Sequence, residues 1–292
     1  MTSEAQTIVV TGATSGLGAL AATSLAATGA RLILVARSAE RAEQTISSLR
    51  DSTSVEPEVF LADLSRPEEV RRAGEEIRSR HERIDVLINN AGLHAFEPRL
   101  TDDGLPEMVA VNYLAPFVLT RELLPSLLRS PAGRVVNVAS EASRRHGDLR
   151  IPDVLTDTSP FTARGSSERY GQSKLLDIMF TLALARRLVD TTVTANCVDP
   201  GFNVTGLGRE LPFAAGLERV LRTLRVGDPA RGADLIVDLA TEARYAGRTG
   251  LYVTEKRRRE LVPVDPATDA AAQDELWRST EQLLRRLSKS PA

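Results

Sequence analysis

Seven short apolar runs alternate with amphipathic stretches almost to the end of this 292-residue chain, and that alternation constrains its fold more than any other feature. The runs are Thr7–Val10, Arg31–Val35, Glu58–Leu61, Asp85–Ile88, Arg134–Val138, Val193–Val198 and Gly250–Val253. Several are nearly continuous in Val, Ile and Leu, the pattern of parallel strands buried on both faces. The intervening segments have helical spacing. Leu17, Leu20, Ala21 and Leu25 fall on one face, with Gly29 placed to end the helix. Ser65 and Glu68 form a capping-box pattern ahead of Val70, Ala73 and Ile77, and Asp228-Pro229 reads as an N-cap followed by proline at the first helical position. Strand–helix alternation joined by right-handed crossovers predicts an α/β fold: one doubly wound domain over residues 1–292, with a mostly parallel seven-stranded sheet and helices on both faces. Two longer non-periodic segments, 141–169 and 201–227, each follow a strand. Both are expected at the carboxyl ends of the sheet, where open α/β folds bind ligands.

Composition narrows the function. A net charge of -2 gives no field for nucleic acid, and no apolar run approaches a membrane span. Lys256-Arg257-Arg258-Arg259 is flanked by Glu255 and Glu260 and reads as a solvated turn. No basic n-region leads into the first strand, so no signal peptide is expected. The single cysteine, Cys197, fits a reducing compartment, and three scattered histidines argue against a metal site. The expectation is a cytoplasmic protein without a metal.

The first strand runs into Val10-Thr11-Gly12-Ala13-Thr14-Ser15-Gly16-Leu17-Gly18. A strand opening through small residues into a helix aims backbone N–H groups and the positive helix end at one spot, which is an anion site. Its glycines permit a tight turn and close approach of a pyrophosphate. The second strand ends in Ala36-Arg37 with no acid in place, and a guanidinium there suits the 2′-phosphate of NADP better than the 2′-hydroxyl of NAD. Tyr170 and Lys174 stand four apart on a helix and share a face, so phenol and ammonium can act on one ligand. Ser140 closes the fifth apolar run, where its hydroxyl could polarise a carbonyl. Asn112 is a polar amide among apolar helical neighbours, and Asn89-Asn90-Ala91-Gly92 follows the fourth strand beside the expected crevice.

Taken in order, Thr11-Gly12-x3-Gly16-x-Gly18, Asp63-Leu64, Asn89-Asn90-Ala91-Gly92, Asn112, Ser140, Tyr170-x3-Lys174 and Pro200-Gly201 resemble the short-chain dehydrogenase/reductase family over nearly the whole chain. The retinol-dehydrogenase-like branch is the nearest in pattern, through the 30 positions between Ser140 and Tyr170, Ser173-Lys174-Leu175, Phe180-Thr181-Leu182-Ala183, Gly250-Leu251-Tyr252 and Leu276-Trp277. Asp199 departs from it, standing where this branch often has histidine.

The resemblance implies a Rossmann domain and hydride transfer between a nicotinamide and a carbonyl or alcohol. It implies Tyr170 as proton donor and acceptor, Lys174 on the nicotinamide ribose, Ser140 on the carbonyl and Asn112 in a proton relay. Thr11, Gly12, Ser15, Gly16, Leu17 and Gly18 would surround the pyrophosphate. Asp63 and Leu64 would flank adenine, Asn90, Ala91 and Gly92 the adenosine, and Pro200, Gly201 and Thr205 the nicotinamide. Leu207, Leu211, Phe213 and Leu217 suit an apolar small-molecule substrate. A homo-oligomer remains open, with Leu175–Leu188 as a helix through which copies could pair. A catalytically silent NAD(P)-binding sensor and an NAD-dependent tailoring dehydrogenase of secondary metabolism are the alternatives.

Overall fold

The computed structural model describes residues 5–53, 55–201 and 228–289. Its seven strands, β1 (Thr7–Thr11), β2 (Arg31–Ala36), β3 (Glu58–Leu61), β4 (Val86–Asn89), β5 (Arg134–Val138), β6 (Thr194–Asp199) and β7 (Tyr252–Thr254), follow the seven apolar runs within a residue or two. All pair in parallel, in the order β3-β2-β1-β4-β5-β6-β7. Alternate residues of the central strands feed two separate cores. Ile8, Val10, Leu32, Leu34, Val86 and Ile88 face one layer, and Val9, Ile33, Val35 and Leu87 the other. Burial on both faces is why these strands are apolar at every position rather than at every second one.

Helices α1 (Gly16–Ala27), α2 (Ala39–Leu49) and α7 (Pro229–Thr241) cover one face. The other is covered by α3 (Pro67–Arg80), α4 (Glu107–Val109), α5 (Ala115–Leu127), α6 (Ser166–Arg187) and α8 (Ala270–Leu287). Gly29, at φ 81°, donates its N–H to the Ala26 carbonyl just beyond the end of α1, and the Asp228 side chain caps α7 with Pro229 at its first position.

The expected capping box at Ser65 does not form. Helix α3 starts later, with Arg66 as an N-cap whose side chain does not cap the helix and Pro67 in the first turn. The Ser65 N–H that Glu68 would accept in a box is taken by the Asp63 carboxylate, and Glu69 accepts the Asp63 N–H.

Helix α6, through which copies could pair, is packed within the chain against α8. Trp277 of α8 packs on Phe117 and Phe180 with ring centroids 4.9 and 5.9 Å away. Tyr113 and Thr280 hydroxyls bond at 2.6 Å, and Phe180 and Leu184 are buried in this layer. Lys256–Arg259 is exposed apart from Arg258, whose guanidinium pairs with Asp238 at 2.7 Å. Among the described residues no helix is long and apolar enough to cross a membrane.

Candidate active site

The strand order reverses between β1 and β4, which opens a crevice at their carboxyl ends. There the glycine-rich turn and the Asn90–Gly92 segment are bonded to one another. The Thr11 hydroxyl accepts the N–H groups of both Asn90 and Ala91 at 3.0 Å, and the Asn90 amide donates to the carbonyls of Thr11 (3.0 Å) and Gly12 (3.2 Å). Gly12, at φ 69°, has the Ala91 backbone 2.8 Å from where a Cβ would sit, and a Cβ at Gly18 would strike the Asn90 amide and the Gly12 carbonyl. Gly12 is therefore required twice over, by conformation and by space, and Gly18 by space. Ser15 makes no side-chain cap at the start of α1, which leaves that helix end open toward the crevice. Beside it Arg37 stands exposed at the end of β2, next to Ala62 and Asp63, because the Ala62 N–H bonds the Ala36 carbonyl. This donor set and cradle fit a dinucleotide.

Asn112 sits in a π turn, Ala110–Leu114, between α4 and α5. Its carbonyl accepts the Leu93 N–H at 2.8 Å, and its amide donates to the Leu93 carbonyl and the Ser173 hydroxyl at 2.9 Å each. Ser173 in turn donates to the Tyr170 carbonyl at 2.8 Å. Asn112 thus clasps the strand-end segment to α6. Widening of the helix at this residue is what carries the amide across, a common use of π turns at functional positions.

Helix α6 carries Tyr170 and Lys174 to the same place. The Lys174 ammonium donates to the Val138 carbonyl of β5 at 2.6 Å, and a Cβ at Gly92 would lie 3.4 Å from it and 3.3 Å from the Asn112 carbonyl oxygen. Burial pushes the Tyr170 phenol well above its ordinary pKa; the neighbouring Ser140 hydroxyl pulls it back, while Asp199 and Asp177 push it further up. Lys174 is pushed down by burial and supported by Asp177. In this environment Tyr170 is a neutral phenol, able to donate its proton.

Ser140 caps the short 3-10 segment Glu141–Arg145, accepting the Ala142 N–H at 3.1 Å. Gly171 admits that segment against α6: a Cβ there would lie 2.6 and 2.9 Å from the carbonyls of Ala142 and Arg145. Asp199, at the end of β6, accepts the Glu141 N–H at 3.1 Å and the Thr254 hydroxyl at 2.9 Å, and so ties together the carboxyl ends of β5, β6 and β7. Pro200 follows, packed under Gly232 of α7, where a Cβ would come 2.8 Å from the Pro200 carbonyl. Gly201 adopts φ 77°. Thr205, and with it Leu207, Leu211, Phe213 and Leu217, lies outside the described residues.

His94 was not foreseen. Its ring stacks on Tyr170, and Leu93, Ala95, Met108, Ala142 and Phe161 complete an apolar patch around the phenol. Asp177 and Asp199 were also not foreseen as parts of the site, because nothing local marks an acidic residue inside a helix or at a strand end as buried.

A family model described as short chain dehydrogenase matches residues 6–151. Retinol dehydrogenase 14 of Mus musculus is 33% identical over 293 residues, covering 96% of this chain and 86% of the mouse protein. Among solved structures, a protein of Mycobacterium paratuberculosis superposes with a TM-score of 0.75 at 29% identity, covering 96% of this chain and 93% of its own. An NADP complex of RhlG from Pseudomonas aeruginosa superposes with a TM-score of 0.66 at 26% identity, covering 85% and 94% of the two chains.

Proposed function

The chain belongs to the short-chain dehydrogenase/reductase family, most like its retinol-dehydrogenase branch, and from that premise we propose that it is an NADP-dependent oxidoreductase of an apolar carbonyl or alcohol, with Tyr170 as general acid and base. The observation that carries this reading is the meeting of Tyr170, Lys174, Ser140 and Asn112 at the crevice edge, next to a glycine cradle bonded to Asn90 and Ala91.

The bound dinucleotide supplies the hydride and, when oxidised, a positive ring. The protein supplies orientation and the proton. Backbone N–H groups at the uncapped start of α1 receive the pyrophosphate, with Thr11, Gly12, Ser15, Gly16, Leu17 and Gly18 around it. Arg37 offers a forked donor to a 2′-phosphate, and no acidic side chain stands in its place to favour the 2′-hydroxyl of NAD. Asp63 and Leu64 would border the adenine, Asn90 to Gly92 the adenosine, and Pro200 and Gly201 the nicotinamide side. Lys174 holds the nicotinamide ribose while bonded to Val138.

For reduction, Ser140 and Tyr170 hydroxyls donate to the substrate oxygen, and the neutral phenol yields its proton as the carbonyl becomes an alcohol. Alcohol oxidation needs the reverse, and lowering the phenol toward neutrality falls to positive charge in reach, of which Lys174 is the protein's own. Asn112 holds the segment on which Leu93 lies, so the apolar patch of Leu93, Ala95, Met108 and Phe161 faces the reacting group. That patch, together with the name of the mouse relative, supports an apolar aldehyde, ketone or alcohol as substrate.

The test follows NADPH oxidation against retinal, aliphatic ketones and quinones, for wild type and Tyr170→Phe. Turnover by wild type that falls by at least about a hundredfold in the variant, with NADPH binding kept, is expected. NADPH binding without turnover in either protein would favour the silent sensor, and failure to bind either dinucleotide would remove the reading altogether.

A further inference from the structure

Helix α6 turns a line of polar side chains toward the sheet: Lys174, Asp177 and Thr181, spaced i, i+3 and i+7 on one helix face. The two outer members are anchored on β5. The Lys174 ammonium donates to the Val138 carbonyl at 2.6 Å, and the Thr181 hydroxyl accepts from the Asn137 amide at 2.8 Å. Asp177 lies between them, 1% exposed, and its Oδ1 has no hydrogen-bond partner. Thr181 does not serve it, since that hydroxyl donates to the Asp177 main-chain carbonyl instead. A buried carboxyl oxygen left without a partner is destabilising, and in a native protein it calls for an explanation.

We propose that Asp177 is a positioning residue for the reaction, a buried acid one turn behind Lys174 whose charge sets how readily Tyr170 gives up its proton. This rests on the reading of Tyr170 as general acid and base. Among the described residues, the titratable groups around the carboxyl come from three elements. Lys174 and Tyr170 share its helix, Tyr113 approaches from the π turn, and Cys197 sits on β6 opposite Asn137; Asp199 acts on Tyr170 from the end of β6. Burial raises Asp177 to about 7, against the pull of Lys174. Ionised, it supports the Lys174 ammonium and makes the Tyr170 phenol harder to ionise; neutral, it does neither.

Two measurements test this on the full chain, and neither needs a substrate. Carboxyl-carbon NMR of the wild-type protein should show one aspartate titrating near neutrality, absent from Asp177→Asn. If no aspartate titrates between about pH 6 and pH 8, the proposal fails. With NADP+ bound, the Tyr170 phenolate is followed by ultraviolet difference absorbance, each protein being subtracted from its Tyr170→Phe counterpart. Asp177→Asn should lower the phenolate midpoint by at least about half a pH unit, about threefold in the phenolate ratio. An unmoved midpoint would overturn the proposal and leave Asp177 a structural residue. Should Asp177→Asn fail to fold, Asp177→Ala takes its place in both measurements. A protein that does not bind NADP+ fails the cofactor reading instead, and the carboxyl titration still decides Asp177.

Discussion

The imidazole of His94 lies flat on the phenol of Tyr170, with ring centroids 4.7 Å apart and planes 16° from parallel. Phe96 stacks on the far side of the imidazole at 4.6 Å. The Ser166 hydroxyl donates to the Ala163 carbonyl at 2.7 Å, so toward His94 Nε2, 3.2 Å away, it acts as acceptor, and the imidazole carries its proton on that nitrogen. Three stacked rings and a fixed tautomer hold the phenol at one angle. Stacked pairs contribute roughly 0.5–1.5 kcal/mol, so His94→Ala should lower kcat about three- to tenfold with NADPH affinity unchanged. His94→Phe, which keeps the stack, should restore most of it. A loss confined to KM, or no rescue by phenylalanine, would count against a clamp on Tyr170.

Arg37 is exposed at the carboxyl end of β2, where the proposed 2′-phosphate would lie. A charge-assisted bond of this kind is worth about 1.5–3 kcal/mol. Arg37→Ala should therefore raise the Kd for NADPH by about 10- to 100-fold and leave that for NADH within about twofold. Titration calorimetry with both dinucleotides measures the two effects side by side. Equal losses for both would place the guanidinium away from the phosphate.

The Ala142 and Arg145 carbonyls lie 2.6 and 2.9 Å from where a Cβ of residue 171 would be. Backbone cannot yield there as a flexible side chain would, so Gly171→Ala must push the Ser140–Arg145 segment off α6. Overpacking of this kind costs about 1–3 kcal/mol. A fall in Tm of several degrees is expected, with a larger loss of kcat than Tyr170 geometry alone explains, because Ser140 moves with the segment. Full activity in Gly171→Ala would show that Ser140 need not sit where it does.

What the sequence disclosed and what it hid follow from how each feature is encoded. The strands were legible because burial on both faces makes each a run such as Leu32-Ile33-Leu34-Val35, a signal carried by consecutive residues. Tyr170 and Lys174 were legible because four residues is one helical turn. Ser65-x-x-Glu68 misled because the helix begins one residue later than the pattern implies, at Pro67 with Arg66 as its N-cap. His94 and Asp177 were invisible for a different reason. Stacking on Tyr170 and burial behind Lys174 come from how β4, the π turn and α6 are brought together, and no local spacing records that. Likewise the packing of Trp277 on Phe180 of α6 joins residues about a hundred positions apart, which no local spacing records.

The Asp177 carboxyl also leaves a mark on stability. Its folded pKa, about 7, stands above the ordinary 3.8. A raised pKa contributes stability that is fully present below the unfolded value and is lost as pH rises through the folded one. Each unit corresponds to about 1.4 kcal/mol, so some 3 kcal/mol of stability should be lost between about pH 5 and pH 8 through this one group. Lys174 acts in the same direction in the variant: burial lowers its pKa, and without Asp177 it is lowered further, which favours the folded state as pH rises. Asp177→Asn should accordingly gain on wild type with increasing pH, with a Tm difference that shifts in its favour by several degrees from about pH 5 to about pH 8. Thermal melts of both proteins across that range, at fixed ionic strength, measure it. Parallel curves would mean that Asp177 is ionised throughout, with its charge met by a partner at Oδ1.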